Sequence, residues 1–468
     1  MRTRAVRRLA LMKKLAGTTW GANASVLKQV YTGYVRPIME YSSTAWSTSA
    51  NTTKMKLDRV QNWGLRMVLG AMKTTPITDM EKTADIEPLD NRRNTKVLLQ
   101  GEKMRRLTSH PLHNRLSEGT KNRLKRKSLN HLFKNIRSPY DDVLQAPSGP
   151  CERLEPERWF GETDSLPEVR TTIPGITSKV DQIPAAQQAL ALEFLDQEYP
   201  SRSWTRAYTD GSASDATKKG GSGVYIQYPH QQAASLSFAV GEICTNFKAE
   251  VKAIAAAADY LSTSENPGGG VVILTDSLST LQALAGKNPD AATRELQDSL
   301  KRLAALRPFT LQWIPAHCGI QGNEKADSLA KEGSKKEQPV PELSFCEAKS
   351  LIRHRTRVIW RSSHGGYDYQ RDALHSLGRS DASAIYRLRT GHCGLRAHLW
   401  RLHLVDTALC PCAQADQTPA HILQDCPLHA AQRGRTWPEG ADLNTKLWGT
   451  AADLEKTAHF MTSVNLKI

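Results

Sequence analysis

The chain has 468 residues, of which 39% are hydrophobic, a formal net charge of +16 and eight cysteines. At roughly 150 residues per domain this length suggests two to four units, and a mean hydropathy of −0.49 without a long apolar run excludes a membrane span. So few cysteines in so long a chain exclude a disulfide scaffold; three of them crowd into residues 410–426, which suits a reducing compartment and one local metal site.

The charge is unevenly spread. Residues 1–140 hold 28 Lys and Arg against 9 Asp and Glu, whereas residues 141–200 hold 4 against 12. A basic block of this kind suits a polyanion, most simply nucleic acid, with a solvated helix surface as the bland alternative. Arg7, Arg8, Lys13 and Lys14 interrupt the apolar stretch of Met1–Gly17, which therefore reads as a basic helix and not as a signal peptide.

Residues 1–137 read as helical and basic, with apolar residues at three-to-four spacing in Leu27–Tyr31 and Leu57–Leu69, a break at Pro37, a second basic helix at Arg92–Arg106 and a cationic cluster at Lys121–Lys127. Residues 138–200 form a proline-rich acidic linker with a short helix at Ala185–Gln197. In residues 201–336, strands are predicted at Arg206–Asp210, Gly223–Tyr228 and Ala234–Val240, followed by an alanine-rich helix at Phe247–Ser262. Val271–Asp276 is apolar without alternation, the mark of a strand covered on both faces. Helices at Ser279–Ala285 and Thr293–Ala305, a strand at Thr310–Pro315 and a helix at Asn323–Glu332 complete the order. It predicts an α/β domain built on a mixed five-stranded sheet with flanking helices. Residues 337–468 return to helical sequence and carry the cysteine cluster.

Four acids stand at distinctive places: Asp210 in Tyr208-Thr-Asp-Gly-Ser212, Asp276 at the carboxyl end of the buried strand, Glu250 one turn into the alanine-rich helix, and Asp327 one turn into the last helix. A carboxylate that ends an apolar strand is costly to bury unless a cation or hydrogen bonds compensate it. If the two strands are neighbours, Asp210 and Asp276 meet at one sheet edge. Oxygen ligands without His or Cys suit Mg²⁺ or Mn²⁺, and two such ions activate a water and stabilise the leaving oxygen of a phosphodiester. Taken singly, each acid is equally at home in a turn or on a helix surface.

Residues 206–336 resemble a type 1 ribonuclease H domain through Tyr208–Ser212, Thr245-Asn-Phe-Lys-Ala-Glu250, Leu274-Thr-Asp-Ser277, Trp313-Ile-Pro-Ala-His-Cys-Gly319 and Gly322-Asn-Glu-Lys-Ala-Asp327, all in the family's order. The resemblance implies hydrolysis of the RNA strand of RNA–DNA hybrids, with Asp210, Glu250, Asp276 and Asp327 holding two Mg²⁺ or Mn²⁺ ions and His317 assisting proton transfer. It further implies that Ser212 and Asn246 approach the hybrid backbone, where 2′-hydroxyls distinguish RNA from DNA. The basic helical protrusion of some members is missing, since only Gly286-Lys-Asn-Pro-Asp290 joins the second and third helices.

In the tail, Cys410, Cys412, His421 and Cys426 give C-x-C-x8-H-x4-C, a donor set for structural Zn²⁺, with His392, Cys393, His398 and His403 as alternative ligands. Beside Arg387, Arg389, Arg396 and Arg401, such a knuckle either grips single-stranded nucleic acid or braces a helical tail.

The whole chain resembles the C-terminal part of a non-LTR retrotransposon polyprotein. Leu15–Ala22, Tyr34–Ser42 and Leu57–Asn62 resemble the reverse transcriptase thumb, and Arg389–Cys393, Ala397–Leu399 and Leu447–Gly449 the tail. The polymerase palm is missing, as Tyr140-Asp-Asp142 follows the thumb-like region and lacks a spacer, so polymerase activity is not expected and Met1 reads as an internal start in a truncated copy. The leading expectation is an endoribonuclease acting on RNA–DNA hybrids, intracellular in the nucleus or cytoplasm, and the competing one a catalytically silent nucleic-acid-binding remnant. Oligomeric state is not legible.

Overall fold

The structure, a computed structural model, describes all residues except 118–127, 150–166, 177–181, 216, 230–231, 265–269, 287–288, 341, 364, 366 and 467. The cationic cluster Lys121–Lys127 and part of the Gly286–Asp290 connection lie outside the described residues. No helix among the described residues is long and apolar enough to cross a membrane. The chain divides into two compact units, one formed chiefly by Met1–Gly101 and His354–Ile468, the other chiefly by Arg137–Arg353.

The second unit is built on one sheet. Its strands are β1 (Glu168–Arg170), β2 (Trp204–Ser214), β3 (Lys218–Gln227), β4 (Ala233–Ile243), β5 (Gly270–Thr275) and β6 (Phe309–Trp313). They lie in the order β1-β6-β5-β2-β3-β4. β2, β3 and β4 are antiparallel neighbours, while β2, β5, β6 and β1 run parallel. The mixed sheet with flanking helices is as expected, but it has six strands and not five. The extra strand comes from the region read as a linker: Val169 pairs with Leu311 and covers what would be an open edge at β6.

Both faces of the sheet are covered. Ala207, Val271 and Ile273 join the helices Asn246–Thr263 and Ala291–Leu306 in one core through Val251, Ile254, Leu296 and Leu300. The alternate residues Tyr208, Val272 and Leu274 face a second core with Ala191 and Leu195 of the helix Pro184–Glu198 and Ala326 of the helix Gln321–Lys335. Two-sided burial explains why β5 reads as an uninterrupted apolar run.

In the first unit, one core joins the beginning of the chain to its end. Leu9, Leu27, Tyr31, Leu65 and Met80 pack with Ile385, Tyr386, Leu454 and Phe460. The predicted break at Pro37 is present in a modified form. Proline lacks an amide N–H, and the chain passes through a wide helical turn over Tyr31–Val35, where the Arg36 amide bonds the Tyr31 carbonyl, before Pro37 opens the helix Arg36–Glu40. The helix Asn51–Leu69 ends on Gly70 at φ +66°, a left-handed cap that glycine adopts without strain. Its last carbonyls receive Arg379, whose guanidinium donates to Val68 O and Met67 O at 2.6 Å and to Gly17 O at 2.8 Å. The negative end of the helix dipole thus stands where a carboxylate would otherwise be needed. Burial, with Arg387 nearby, lowers the Arg379 pKa to about 10.

Candidate active site and candidate metal centres

Register brings the two strand aspartates together. The last parallel pair between β2 and β5 is Thr209 with Thr275, so the next residues, Asp210 and Asp276, leave the ladder side by side. Asp210 does not end its strand, as the sequence suggested; β2 continues to Ser214 against β3, with Asp210 opposite Gly223. The third carboxylate comes from the helix Asn246–Thr263, capped by the Thr245 hydroxyl accepting the Lys248 amide at 3.1 Å. Gly211 lets that helix approach, because a β-carbon there would collide with the backbone nitrogen of Glu250. The Ser222 hydroxyl donates to Ala249 O at 2.7 Å and holds the same turn to β3.

One carboxylate oxygen from each of Asp210, Glu250 and Asp276 lies within 4.8 Å of the others. Burial, with the charges of Asp276 and Asp327, raises the Asp210 carboxyl to about 7. Burial and the charges of Asp210 and Asp276 push Glu250 well above the usual range. Glu250 Oε2 is buried with no hydrogen-bond partner. Three clustered acids, two of them held back from ionising by burial and neighbouring carboxylates and one of those with an orphaned oxygen, form a donor set that a hard divalent cation fits.

Asp327 stands outside this trio. It sits half-buried on the helix Gln321–Lys335 and accepts from Lys331 Nζ at 2.5 Å, while its charge still reaches Asp210. Asn323, 2% exposed, donates from Nδ2 to Asp276 Oδ2 at 3.3 Å. It lies inside the Gly322–Asp327 motif, yet the sequence reading gave it no role; amide-to-carboxylate contacts have no spacing signature. His317 is exposed, at φ +54°, on the loop after β6, and that loop is tied to the sheet edge where Ile314 N meets Thr275 O at 3.0 Å. Ser212 is half-buried on β2, and Asn246 is the exposed first residue of the Glu250 helix.

The RNase H family model matches residues 203–335. These residues are an RNase H domain. Solved structures similar to the chain include the following two. RNase H1 from the halophilic archaeon Halobacterium salinarum NRC-1 is 21% identical, over 28% of this chain and 96% of that one, with a TM-score of 0.22. The N-terminal RNase H domain of rv2228c from Mycobacterium tuberculosis, solved as a fusion with maltose-binding protein, is 20% identical over 32% of this chain and 99% of that one, with a TM-score of 0.24.

A second constellation lies in the first unit, outside the RNase H domain. Cys410, Cys412, His421 and Cys426 present ligand atoms within 4.8 Å of one another. Cys410 Sγ is 3.7 Å from Cys426 Sγ, and Cys412 Sγ is 3.2 Å from His421 Nε2. A tight turn, with the Ala413 amide donating to Cys410 O at 2.8 Å, brings the first two cysteines together. The wide helical turn His421–Asp425 returns the Cys426 amide to His421 O at 2.7 Å. Burial opposes ionisation of Cys412, but the Gln414 amide and His421 outweigh it and lower the thiol to about 6. Three sulfurs and one imidazole suit a tetrahedral Zn²⁺ site.

Two of the four alternative ligands are engaged elsewhere. His398 bonds Cys393 O and Thr74 Oγ1, and His392 bonds the same Thr74 hydroxyl. Of the arginines beside the knuckle, Arg387 donates to Gly70 O and Ile468 O, and Arg389 forms a buried pair with Asp372 at 2.7 Å. Those two are internal fasteners and not the nucleic-acid contacts that their charge suggested; Arg396 and Arg401 remain at the surface.

Proposed function

We propose that the RNase H domain hydrolyses the RNA strand of RNA–DNA hybrids with two Mg²⁺ or Mn²⁺ ions, held by Asp210, Glu250, Asp276 and Asp327. The observation that carries this reading is the cluster of three carboxylates, with the orphaned Glu250 oxygen, inside the family match. When bound, divalent ions supply a nucleophilic water and stabilise charge on the departing oxygen. The chain's own groups do the rest. Asn323 orients the Asp276 carboxylate and Lys331 steadies Asp327. Ser212 and Asn246 meet the hybrid backbone, and the exposed His317 imidazole carries protons at the rim of the site. The Cys410, Cys412, His421 and Cys426 cluster holds structural Zn²⁺, and the motifs flanking the domain favour descent from a non-LTR retrotransposon polyprotein.

Cleavage of a labelled RNA–DNA hybrid by the purified chain, with Mg²⁺ and with EDTA, beside single- and double-stranded RNA, tests the assignment. Metal-dependent cleavage confined to the hybrid is expected. A folded chain that binds the hybrid and leaves it intact would establish the nucleic-acid-binding remnant instead.

A further inference from the structure

We propose that Glu347, which lies beyond the RNase H match, is a positioning residue for the carboxylate site: its ion pair with Lys248 holds the first turn of the helix that carries Glu250. The inference deepens the hydrolytic reading above and rests on it.

Lys248 is the third residue of the helix Asn246–Thr263 and only 7% exposed. Its Nζ lies 2.7 Å from Glu347 Oε1, with both side chains nearly buried. Two residues further along, about 200° around the helix axis, Glu250 faces the aspartates. The turn is therefore gripped on two sides. Gly211 and Ser222 set its distance from β2 and β3, and the Lys248 pair fixes the other side.

Glu347 is itself immobilised. Its Oε2 accepts the Ser344 amide at 2.8 Å while the Ser344 hydroxyl accepts the Glu347 amide at 3.2 Å, a reciprocal cap on the helix Phe345–Ser362. The preceding Leu343 is held by Pro147 O at 2.9 Å and by the Gly149 amide at 2.8 Å. Further back, Pro339 O accepts from the Glu242 amide at 3.0 Å and Gln338 Oε1 from the Gly241 amide at 3.0 Å, fastening the segment to β4. A nearly buried ammonium that loses its carboxylate leaves a charge the surroundings cannot tolerate, so the turn must shift.

The test uses the full chain, with Mn²⁺ as the probe and isothermal calorimetry as a readout independent of turnover. Glu347→Gln keeps an oxygen for the Ser344 amide and turns an amide NH2, which cannot accept, toward Lys248. The expected result is Mn²⁺ binding at least fivefold weaker, with an unchanged circular dichroism spectrum. If that variant does not fold, Lys248→Met combined with Glu347→Met leaves no unpaired charge but removes the directional tether on the turn, and is expected to weaken Mn²⁺ binding at least twofold, less than Glu347→Gln. Wild-type affinity in either folded variant overturns the proposal, and so does failure of both to fold, which makes the pair purely structural. Wild-type chain that binds Mn²⁺ but leaves hybrids intact sinks the hydrolytic reading alone; unchanged affinity in Glu347→Gln with wild-type cleavage intact sinks the positioning role alone.

Discussion

Gly211 and Glu250 are in backbone contact: β2 and the first turn of the Asn246–Thr263 helix approach so closely that only a residue without a β-carbon fits between them. The obstacle to any larger residue is main chain, which cannot swing aside as a flexible side chain would. Gly211→Ala is therefore expected to displace the Glu250 turn, cost about 1–3 kcal/mol of stability and lower metal-dependent hybrid cleavage more than tenfold. Denaturant unfolding and initial rates measured together check it; wild-type values in both would refute the contact.

Asp210→Asn removes a ligand but almost no volume. Cleavage is expected to disappear. In EDTA the variant is expected to melt higher than the wild type, because one of three crowded carboxylates no longer has to be buried beside the others. Paired melting curves, with EDTA and with Mg²⁺, decide the matter, since a variant less stable than wild type in EDTA contradicts the crowding.

In the first unit, burial pushes the Glu81 carboxyl up to about 7, opposed by the hydrogen bond from Gln61 and reinforced by Asp58. A carboxyl raised in the folded state gives stability that is complete below its unfolded value near 4.5 and is lost as pH climbs through 7. Glu81→Gln stays neutral and still accepts from Gln61. It should be no more stable than wild type at pH 4.5 and more stable at pH 8, by on the order of 1–3 kcal/mol. Equal gains at both pH values would remove the titration from the explanation.

Purified protein is expected to contain about one zinc per chain, lost in Cys410→Ser. Cys410 and Cys426 belong to the core shared by the start and end of the chain, so stripping the metal should also lower the melting temperature of that unit. Elemental analysis of the wild type finding no zinc would end the assignment.

Much of the sheet was legible because its signals are local: the unbroken apolar run of β5, the alanine-rich helix, and acids at the ends of periodic segments. β1 was not, since three residues in a proline-rich stretch carry no pattern and owe their conformation to the edge they cover. The joint core of the first unit was hidden for a different reason. Periodicity tells which face of a helix is apolar, not what will cover it, and Leu27 and Phe460 stand at opposite ends of the chain. Arginine was the least readable residue. Arg387 and Arg389 look in sequence like Arg396 and Arg401, and only their burial separates a fastener from a surface charge.

That joint core has a consequence for how the polypeptide is made and broken. Residues 1–101 are made more than 250 residues before their partners in residues 354–468, so the RNase H domain can be complete while part of the first unit's core is still missing. That core closes by bringing together segments more than 250 residues apart, and such long-range closure is expected to slow folding. Once it has closed, a protease cutting inside the intervening residues would yield two fragments that migrate as one particle until denatured.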